Sequence, residues 1–310
     1  MSTIPILDWR RFLDPAARHG FVADLGKSCR NTGFFLLTGH DIPQNLCDEA
    51  FAAAAVFFAL PATAKKPLSI LTNPHNRGWA MQGSEQLDET SLLPDRKEAF
   101  NIGLEMNGDD PRLLRGEAFR GLNLWPDLQG FRETMLAYFD AAHRLGIALM
   151  GAVARDLGLH PQYFDLDFDA PMATLRLLHY PAAQDAGDGI GAGAHTDYGA
   201  LTLLATDGTA GLQVRGKDGL WLDLPHVQGA LVVNIGDCLM RWTNDLYAST
   251  PHRVLPPPRA RQSIAFFLDP NPDSMIAALP GTGAPRYAPI LAADYLRSRL
   301  DATYRPEKTA

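Results

Sequence analysis

Two residues in the run GAGAHTDYGALTLL have side chains that could hold a metal ion. His195 and Asp197 are two positions apart, and His252, in STPHRV, follows after 54 intervening residues. Side chains at positions i and i+2 of a β-strand point to the same face, so one strand could present this imidazole and this carboxylate together. With His252 brought in by the fold, two imidazoles and one carboxylate would bind a divalent metal and leave coordination positions open, as in non-haem Fe(II) oxygenases. A His-x-Asp pair taken alone is more often a surface strand or turn pair.

A second pair with the same spacing lies downstream. Arg261 and Ser263 stand in RQSIAFFLDP, whose β-branched, aromatic and apolar residues predict a strand that ends at Asp-Pro. Arginine offers a planar, permanently charged group that binds a carboxylate through two hydrogen bonds, and a serine hydroxyl can add another. The pair is equally consistent with a polar face on an edge strand. Beside an iron site, it would suit a small dicarboxylate.

Ordered blocks spread along the chain resemble the Fe(II)- and 2-oxoglutarate-dependent dioxygenases of the isopenicillin N synthase-like branch. The blocks are IPILDW at 4–9, GFFLLTGHDIP at 33–43, FFALPATAKK at 57–66, RGWAMQGSEQLD at 77–88, DRKEAFNIG at 95–103, LRLLHYP at 175–181, HTDYGALTLL at 195–204, NIGDCLMRWTNDLYASTPHRV at 234–254, RQSIAFFLDP at 261–270 and RYAPILAADYLRSRLDATY at 286–304. The resemblance implies that His195, Asp197 and His252 are iron ligands. It also implies that Arg261 and Ser263 bind the far carboxylate of 2-oxoglutarate.

The resemblance extends to Tyr180 in the HYP segment, which matches a family tyrosine that helps to hold the same cosubstrate. The asparagine that the family has two residues earlier is Leu178 here, which removes a polar contact. A core aromatic residue before a proline is the alternative interpretation of Tyr180. No catalytic side chain is implied beyond the metal and cosubstrate ligands.

The activity that the resemblance implies is oxidative decarboxylation of 2-oxoglutarate, coupled to oxidation, most often hydroxylation, of a small organic substrate. Its cofactors would be Fe(II), 2-oxoglutarate and O2, with ascorbate as the reductant in vitro. One alternative is an iron oxidase of the same fold that does not use 2-oxoglutarate. Another, from a different class, is a non-catalytic metal-binding jelly roll.

The elements that must position these residues predict a sandwich or jelly roll, and the resemblance implies an α+β fold with a double-stranded β-helix (jelly roll) core and flanking helices. Helical periodicity occurs at 15–31 and 43–60, and a long scaffold helix is predicted where apolar residues recur at three- and four-residue steps between Phe131 and Val153. Regularly spaced short strands follow from about residue 172. They are ATLRLLHY, ALTLLAT, GLQVR, LWLDL, ALVVNI, CLMRWT, HRVL and QSIAFFL.

We expect residues 1–310 to form a single catalytic domain. Residues 1–170 would be a mixed N-terminal portion that packs on the barrel, 171–270 the jelly-roll core with the metal site, and 271–310 a C-terminal helical segment. Residues 71–125 lack periodicity and are predicted to be irregular.

Two stretches are candidates for substrate contacts, since the barrel strands use their inward positions for iron and 2-oxoglutarate. One is the irregular segment with Arg77, Trp79 and Phe100, because long aperiodic loops often carry function. The other is the C-terminal helix near Tyr295 and Arg299, which the family resemblance places near the entrance. The two arginines favour a small anionic or amphoteric substrate. Ordinary packing is the alternative for Trp79 and Phe100.

Composition limits the partners of the chain. A net charge of −7 without a basic cluster argues against nucleic acid. Three cysteines without C-x-x-C spacing favour a reducing compartment. The N-terminus lacks a signal-peptide pattern, and no run of 18 apolar residues occurs. We therefore expect a cytoplasmic protein that binds a small molecule and does not bind a membrane.

Overall fold

The structure is a computed structural model that describes residues 4–88, 94–183 and 189–303. Its strands, in chain order, are β1 Ile6–Asp8, β2 Phe34–Thr38, β3 Gly78–Ala80, β4 Glu98–Gly103, β5 Thr174–Tyr180, β6 Ala192–His195, β7 Leu201–Thr206, β8 Leu212–Arg215, β9 Trp221–Asp223, β10 Leu231–Ile235, β11 His252–Val254, β12 Arg261–Leu268, β13 Met275–Ile276 and β14 Ile290–Leu291.

The helices flank these strands. The α-helices are α1 Arg10–Leu13, α2 Arg18–Asn31, α3 Gln44–Ala59, α4 Ala62–Lys65, α5 Pro111–Leu114, α6 Phe131–Asp156, α7 Asp237–Trp242 and α8 Ala292–Thr303. Short 3-10 helices occupy Lys66–Leu68, Ile70–Thr72 and Asp165–Asp167.

Two facing sheets form the jelly-roll core. The larger has the order β1-β2-β10-β7-β12-β5-β4-β3, and the smaller has the order β6-β11-β8-β9. Strand alternation gives the large sheet two different faces. On β12, for example, Ile264 and Phe266 pack into the core shared with the helices, whereas Ala265 belongs to the core between the sheets. The site residues therefore occupy alternate positions on strands whose other positions anchor the helices.

The long scaffold helix is confirmed as α6. The residues at three- and four-residue steps are all buried in the main core: Phe131, Met135, Phe139, Ala142, Leu145, Leu149 and Val153. The helix ends at Asp156, because Gly158 takes a left-handed conformation (φ +71°) and the Leu159 amide donates to the Ala154 carbonyl. This helix supports the back of the large sheet.

Two sequence-based predictions of secondary structure are wrong. CLMRWT was predicted to be a strand but lies in helix α7, which buries Cys238, Leu239 and Trp242. A short apolar run does not distinguish a strand from a buried helical turn. The stretch 71–125, predicted to be irregular, contains strands β3 and β4. Strand β4 has only two large apolar residues, Phe100 and Ile102 on the helix side, and its cavity-facing positions are small or polar.

The N-terminal portion contributes more than packing, because β1 to β4 are members of the large sheet. No single helix in the described ranges has the length and apolarity needed to span a membrane; one bent pair, Gln44–Ala59 with Ala62–Leu68, meets the length and composition test.

Candidate metal and cosubstrate site

The three residues with metal-binding chemistry meet at one edge of the small sheet. His195 is the last residue of β6 and pairs directly with His252, the first residue of β11. Their ring centroids are 4.3 Å apart. Asp197 lies two residues beyond the end of β6, so the prediction that one strand carries both residues is wrong, although their side chains still converge. Oδ1 of Asp197 is 3.8 Å from Nε2 of His195 and 3.6 Å from Nε2 of His252.

In each of the two imidazoles, the nitrogen that faces away from the triad contacts a backbone carbonyl oxygen. Nδ1 of His195 is 2.7 Å from the Gly193 carbonyl oxygen, and Nδ1 of His252 is 3.3 Å from that of Thr250. Such contacts fix the orientation of an imidazole and leave Nε2 for a metal.

Asp197 is oriented in the same way. Its Oδ2 accepts hydrogen bonds from Oγ1 of Thr202 at 2.5 Å and from Nδ2 of Asn234 at 2.7 Å. Oδ1 is therefore the atom that faces the two imidazoles. One candidate ligand atom from each residue lies within 4.8 Å of the others, and the set fits a single divalent ion with open coordination positions.

The electrostatics of the site favour metal binding. Burial, and secondarily the neighbouring His252, lowers the pKa of His195. Burial alone would raise the pKa of Asp197, but the adjacent imidazoles and the hydrogen bonds from Asn234 and Thr202 outweigh it and lower that pKa. A neutral His195 beside an ionised Asp197 is the protonation state in which these groups bind a metal ion.

A cavity of about 160 Å³ extends from these three residues between the two sheets. We call one end the Arg261 end, which comprises Arg261, Ser263 and Tyr180. The opposite end, which comprises Asn101, Arg176 and Asp269, is the Asn101 end. Strand β12 connects the two, because it begins at Arg261 and is followed directly by Asp269.

The Arg261 end contains a buried cation that has no acidic partner among the described residues. Arg261 is 1% exposed, and its guanidinium carbon lies 5.0 Å from the ring centre of Tyr180, its partner across the β12–β5 ladder. Nη1 donates to Oγ of Ser263 at 3.3 Å, and Nε donates to the Thr209 carbonyl at 3.3 Å. No carboxylate in the described parts of the chain lies within ion-pair distance of Arg261. A buried charge normally has a partner, so this end is suited to an anionic ligand.

The Asn101 end is polar but internally connected. Oδ1 of Asn101 accepts from Nη1 of Arg176 at 3.2 Å, and Nδ2 of Asn101 donates to Oδ1 of Asn76 at 3.2 Å. Nη2 of Arg176 donates to Oε2 of Glu85 at 2.5 Å. These groups are held in place before any ligand arrives.

Asp269 is the exception at this end, since no described residue donates a hydrogen bond to its carboxylate. Burial, and then the charge of Asp197, raises the pKa of Asp269 to about 7, against the opposing effect of Arg77. This carboxylate can accept a hydrogen bond from a ligand.

The predicted substrate residues Trp79 and Phe100 need correction. Neither lines the cavity. Phe100 packs against Phe57 and Phe131 on the helix side of the sheet, and Nε1 of Trp79 donates to Glu98. They pair with each other across β3 and β4, so both point away from the cavity.

Arg77 is also outside the cavity lining. Its guanidinium packs against Gly103 and donates to the carbonyl oxygens of Asn76 and Phe119 at 3.3 and 3.4 Å. The basis for an anionic substrate is correspondingly weakened, because Arg77 was one of the two arginines that suggested it.

The C-terminal helix lies at the cavity, but its lining residues differ from those predicted. Leu296 and Leu300 line the cavity, whereas Tyr295 and Arg299 contact Asp237 at 3.4 and 3.8 Å. Arg299 also lies 4.7 Å from the ring centre of Tyr198, which does line the cavity. A substrate role for Tyr295 and Arg299 stays a prediction.

The cavity also has a polar lining that was not predicted from the sequence, contributed by Lys97, Asn101 and Arg176. All three lie on the cavity side of the sheet. Arg176 and Tyr180 share one face of β5, and β4 pairs with β5 so that Asn101 is opposite Arg176. The available signal was the even spacing of Arg176 from Tyr180.

Comparison with known proteins gives matches along most of the chain. The family described as "non-haem dioxygenase in morphine synthesis N-terminal" matches residues 4–128, and the "2OG-Fe(II) oxygenase superfamily" matches residues 171–270. The chain is 39% identical over 315 residues to the 2-oxoglutarate-Fe(II) type oxidoreductase hxnY of Emericella nidulans, covering 97% of this chain and 90% of that protein. It is 36% identical over 320 residues to a 2-oxoglutarate-dependent dioxygenase of Didymella fabae, covering 98% and 96%.

Solved structures agree with this comparison. A full-length Neurospora crassa protein, solved in complex with alpha-KG and thymine, is 35% identical and superposes with a TM-score of 0.86, covering 96% of each chain. The dioxygenase for auxin oxidation from rice is 29% identical with a TM-score of 0.77, covering 96% of this chain and 95% of that chain.

Proposed function

The chain belongs to the 2OG-Fe(II) oxygenase superfamily, and from this premise we propose that His195, Asp197 and His252 hold its Fe(II). Its relatives make it a 2-oxoglutarate-dependent dioxygenase that oxidises a small molecule with Fe(II), 2-oxoglutarate and O2. The observation that carries the assignment of ligands is the convergence of three ligand atoms within 4.8 Å.

Arg261 and Ser263 are the proposed binding groups for the distal carboxylate of 2-oxoglutarate. The support is that Arg261 is buried and has no carboxylate partner among the described residues, while its guanidinium is fixed by Ser263, Thr209 and the ring of Tyr180. Arginine binds a carboxylate with two parallel hydrogen bonds, which would orient the keto-acid end toward the triad. Leu178, also in the lining, keeps that wall apolar.

His195, Asp197 and His252 would hold an Fe(II) ion, which when bound would supply open coordination positions for the coupled oxidation of 2-oxoglutarate and substrate by O2, with succinate, CO2 and an oxidised substrate as products. Burial keeps the pKa of His195 low and the neighbouring imidazoles keep that of Asp197 low, so a neutral imidazole and an ionised carboxylate face the metal position. Thr202 and Asn234 hold the Asp197 carboxylate in one orientation throughout. The two sheets enclose the reacting groups and limit access of water.

The Asn101 end is the proposed site of the oxidised substrate. Asn101, Arg176 and Asp269 offer both donors and acceptors, and Arg176 is paired with Glu85. We propose a small polar substrate without net negative charge, oxidised by hydroxylation. The Neurospora crassa structure with thymine, a neutral polar molecule, supports this proposal and makes thymine a reasonable first probe.

The net charge and the cysteines indicate which partners and which cellular compartment suit the protein. The net charge of −7 supports the proposal that nucleic acid and anionic membranes are not ligands. The three cysteines are free and buried, which supports action in a reducing compartment such as the cytoplasm.

The test is conversion of 2-oxoglutarate to succinate by the full chain, supplied with Fe(II), ascorbate and O2, with and without thymine. We expect slow, Fe(II)-dependent succinate formation without a substrate and faster formation with a good one. The His252→Ala protein should form none while it stays folded. Oxygen uptake that does not depend on 2-oxoglutarate, or equal succinate formation by His252→Ala, would contradict the proposal.

A further inference from the structure

A buried lysine lines the cavity wall near the triad. Lys97 is 4% exposed, and its Nζ lies 2.5 Å from Oδ2 of Asp95 and 3.2 Å from Oε2 of Glu85. Burial alone would lower the pKa of Lys97, but the two carboxylates outweigh it and raise that pKa. The side chain is therefore a fixed ammonium group on the cavity surface.

The Lys97 ammonium has three N–H donors, but only two described carboxylates lie close enough to accept them. A lysine ammonium carries three N–H donors and no acceptor. Asp95 and Glu85 are the only described groups within hydrogen-bond or ion-pair distance of Nζ. A buried donor is normally satisfied, so the third N–H is available to a molecule in the cavity.

The position of Lys97, directly before strand β4, determines which part of a bound ligand its ammonium group would contact. Glu98, the first residue of β4, pairs with His179, so the preceding Lys97 falls beside Tyr180 rather than beside Arg176. Two contacts through Gly193 connect Asp95, the partner of Lys97, to His195 of the triad. Oδ1 of Asp95 accepts from the Gly193 amide at 2.9 Å, and the Gly193 carbonyl contacts Nδ1 of His195.

The electrostatics agree with this position. The charge of Lys97 contributes to the lowered pKa of His195, and Tyr180 contributes to the raised pKa of Lys97. Lys97 therefore acts electrostatically on both the triad and the Arg261 end. A ligand that spans from the triad to Arg261 would pass this group.

We infer that Lys97 donates its third N–H to the keto-acid end of 2-oxoglutarate, at the C1 carboxylate. This inference rests on the proposed function. Arg261 and Lys97 would then divide the cosubstrate between them, with Arg261 on the distal carboxylate and Lys97 on the carboxylate nearest the triad. The second contact is charge-assisted, which makes it stronger than a hydrogen bond between neutral groups.

The chain contains a matched control for this lysine. Lys65 is 5% exposed and, like Lys97, pairs with a glutamate, since its Nζ lies 2.7 Å from Oε2 of Glu98 and 3.0 Å from the Phe58 carbonyl. Lys65 is on the helix side of the same sheet and does not line the cavity. Loss of either lysine leaves buried carboxylates without their cation, so the two substitutions should destabilise the fold by similar mechanisms.

The experiment is calorimetric titration of the full chain, loaded with Ni(II), with 2-oxoglutarate and with 2-oxovalerate. The second compound keeps the keto acid and lacks the distal carboxylate. Lys97→Met should weaken binding of both compounds by about tenfold. Arg261→Ala should weaken binding of 2-oxoglutarate alone, and Lys65→Met should change neither affinity. Bound Ni(II) should stay at one per chain in all three proteins.

A second variant covers the case in which Lys97→Met does not fold. Lys97→Met combined with Glu85→Gln removes one positive and one negative charge, so the net charge of the buried cluster is unchanged. The same tenfold loss for both compounds is expected. Unchanged affinities in the folded variant would overturn the inference, as would a loss confined to 2-oxoglutarate. Failure of the wild-type protein to bind 2-oxoglutarate would instead overturn the proposed function itself.

Discussion

The two ends of the cavity satisfy their polar groups in different ways. At the Arg261 end, a single buried guanidinium has no acidic partner among the described residues. At the Asn101 end, Asn101 and Arg176 are held by hydrogen bonds to each other and to neighbouring side chains, and Asp269 is the group that lacks a donor. The first end is suited to an anionic ligand, whereas the second offers a prearranged polar surface in which Asp269 receives no hydrogen bond from the described residues.

This difference suits the Arg261 end to binding a cosubstrate and the Asn101 end to selecting a substrate. A cosubstrate common to many enzymes can be bound by one strong contact. A substrate particular to one enzyme has to be selected by several weaker contacts, because specificity is a difference between affinities. Substitutions at the two ends should therefore separate cosubstrate binding from substrate selection.

The largest effect is expected where the two ends meet, at the triad. His252→Ala removes a metal ligand, so both bound Fe(II) and succinate formation should be lost, with a decrease in rate of at least about 1000-fold. Metal analysis and circular dichroism on the same sample measure this. The control is His179→Ala, because His179 stacks on Phe58 outside the cavity. Equal losses in the two proteins would contradict the assignment of the triad.

The next effect isolates the Arg261 end. Arg261→Ala should weaken 2-oxoglutarate binding by at least about 2 kcal/mol, because a desolvated carboxylate loses its charged partner. Arg261→Lys should recover part of this, since the ammonium keeps the charge and loses the paired geometry. Arg253→Ala, on β11 of the small sheet, is a suitable control because the Arg253 side chain stacks on Trp221 instead. If calorimetry showed that Arg261→Ala and Arg253→Ala bind 2-oxoglutarate equally well, the Arg261 end would not be the cosubstrate site.

Asp269, at the Asn101 end, should make the free energy of unfolding depend on pH. The pKa of Asp269 is about 7 in the folded protein and near 4 in the unfolded chain, so the folded state holds the extra proton between these values. The free energy of unfolding contributed by this group therefore falls as pH rises from about 4 to 7. In metal-free protein, Asp269→Asn should raise the free energy of unfolding by roughly 2 kcal/mol at pH 8 and change it little at pH 4. Denaturant titrations that show the same difference at both pH values would be inconsistent with a buried, unpaired carboxylate.

The smallest effect refines the Arg261 end. Ser263→Ala should weaken 2-oxoglutarate binding by about 1 kcal/mol, because one hydrogen bond that also fixes the guanidinium is removed. Titration with 2-oxovalerate should show no such loss. A loss as large as that of Arg261→Ala would mean that Ser263 determines the position of the arginine as well as adding one hydrogen bond.

The Arg261 end could be predicted from the sequence because its chemistry lies at i, i+2 spacing on one strand. Arg261 and Ser263 sit on an apolar strand whose alternation identifies their shared face. The triad could be predicted in part. The proximity of His195 and Asp197 is local, but the partner of His195 is fixed by the β6–β11 register, and Asp197 lies past the strand end.

Beyond the even spacing of Arg176 from Tyr180, the Asn101 end could not be predicted, because it is assembled by register between distant strands. Asn101 and Phe100 are adjacent and face opposite ways, and the sequence does not state which side the helices cover. We predicted that Phe100 faces the substrate, whereas the helices pack on Phe100 and leave Asn101 to the cavity. The same uncertainty of face led to the wrong prediction for Trp79.

The most direct test of the account is an anaerobic crystal structure of the wild-type protein with Fe(II) and 2-oxoglutarate, in which anomalous scattering locates the iron. We expect one iron peak within coordination distance of Nε2 of His195, Nε2 of His252 and Oδ1 of Asp197. We also expect that the distal carboxylate of 2-oxoglutarate binds Arg261 and leaves the Asn101 end open. Iron bound by other residues, or a cosubstrate whose distal carboxylate points to the Asn101 end, would contradict the account.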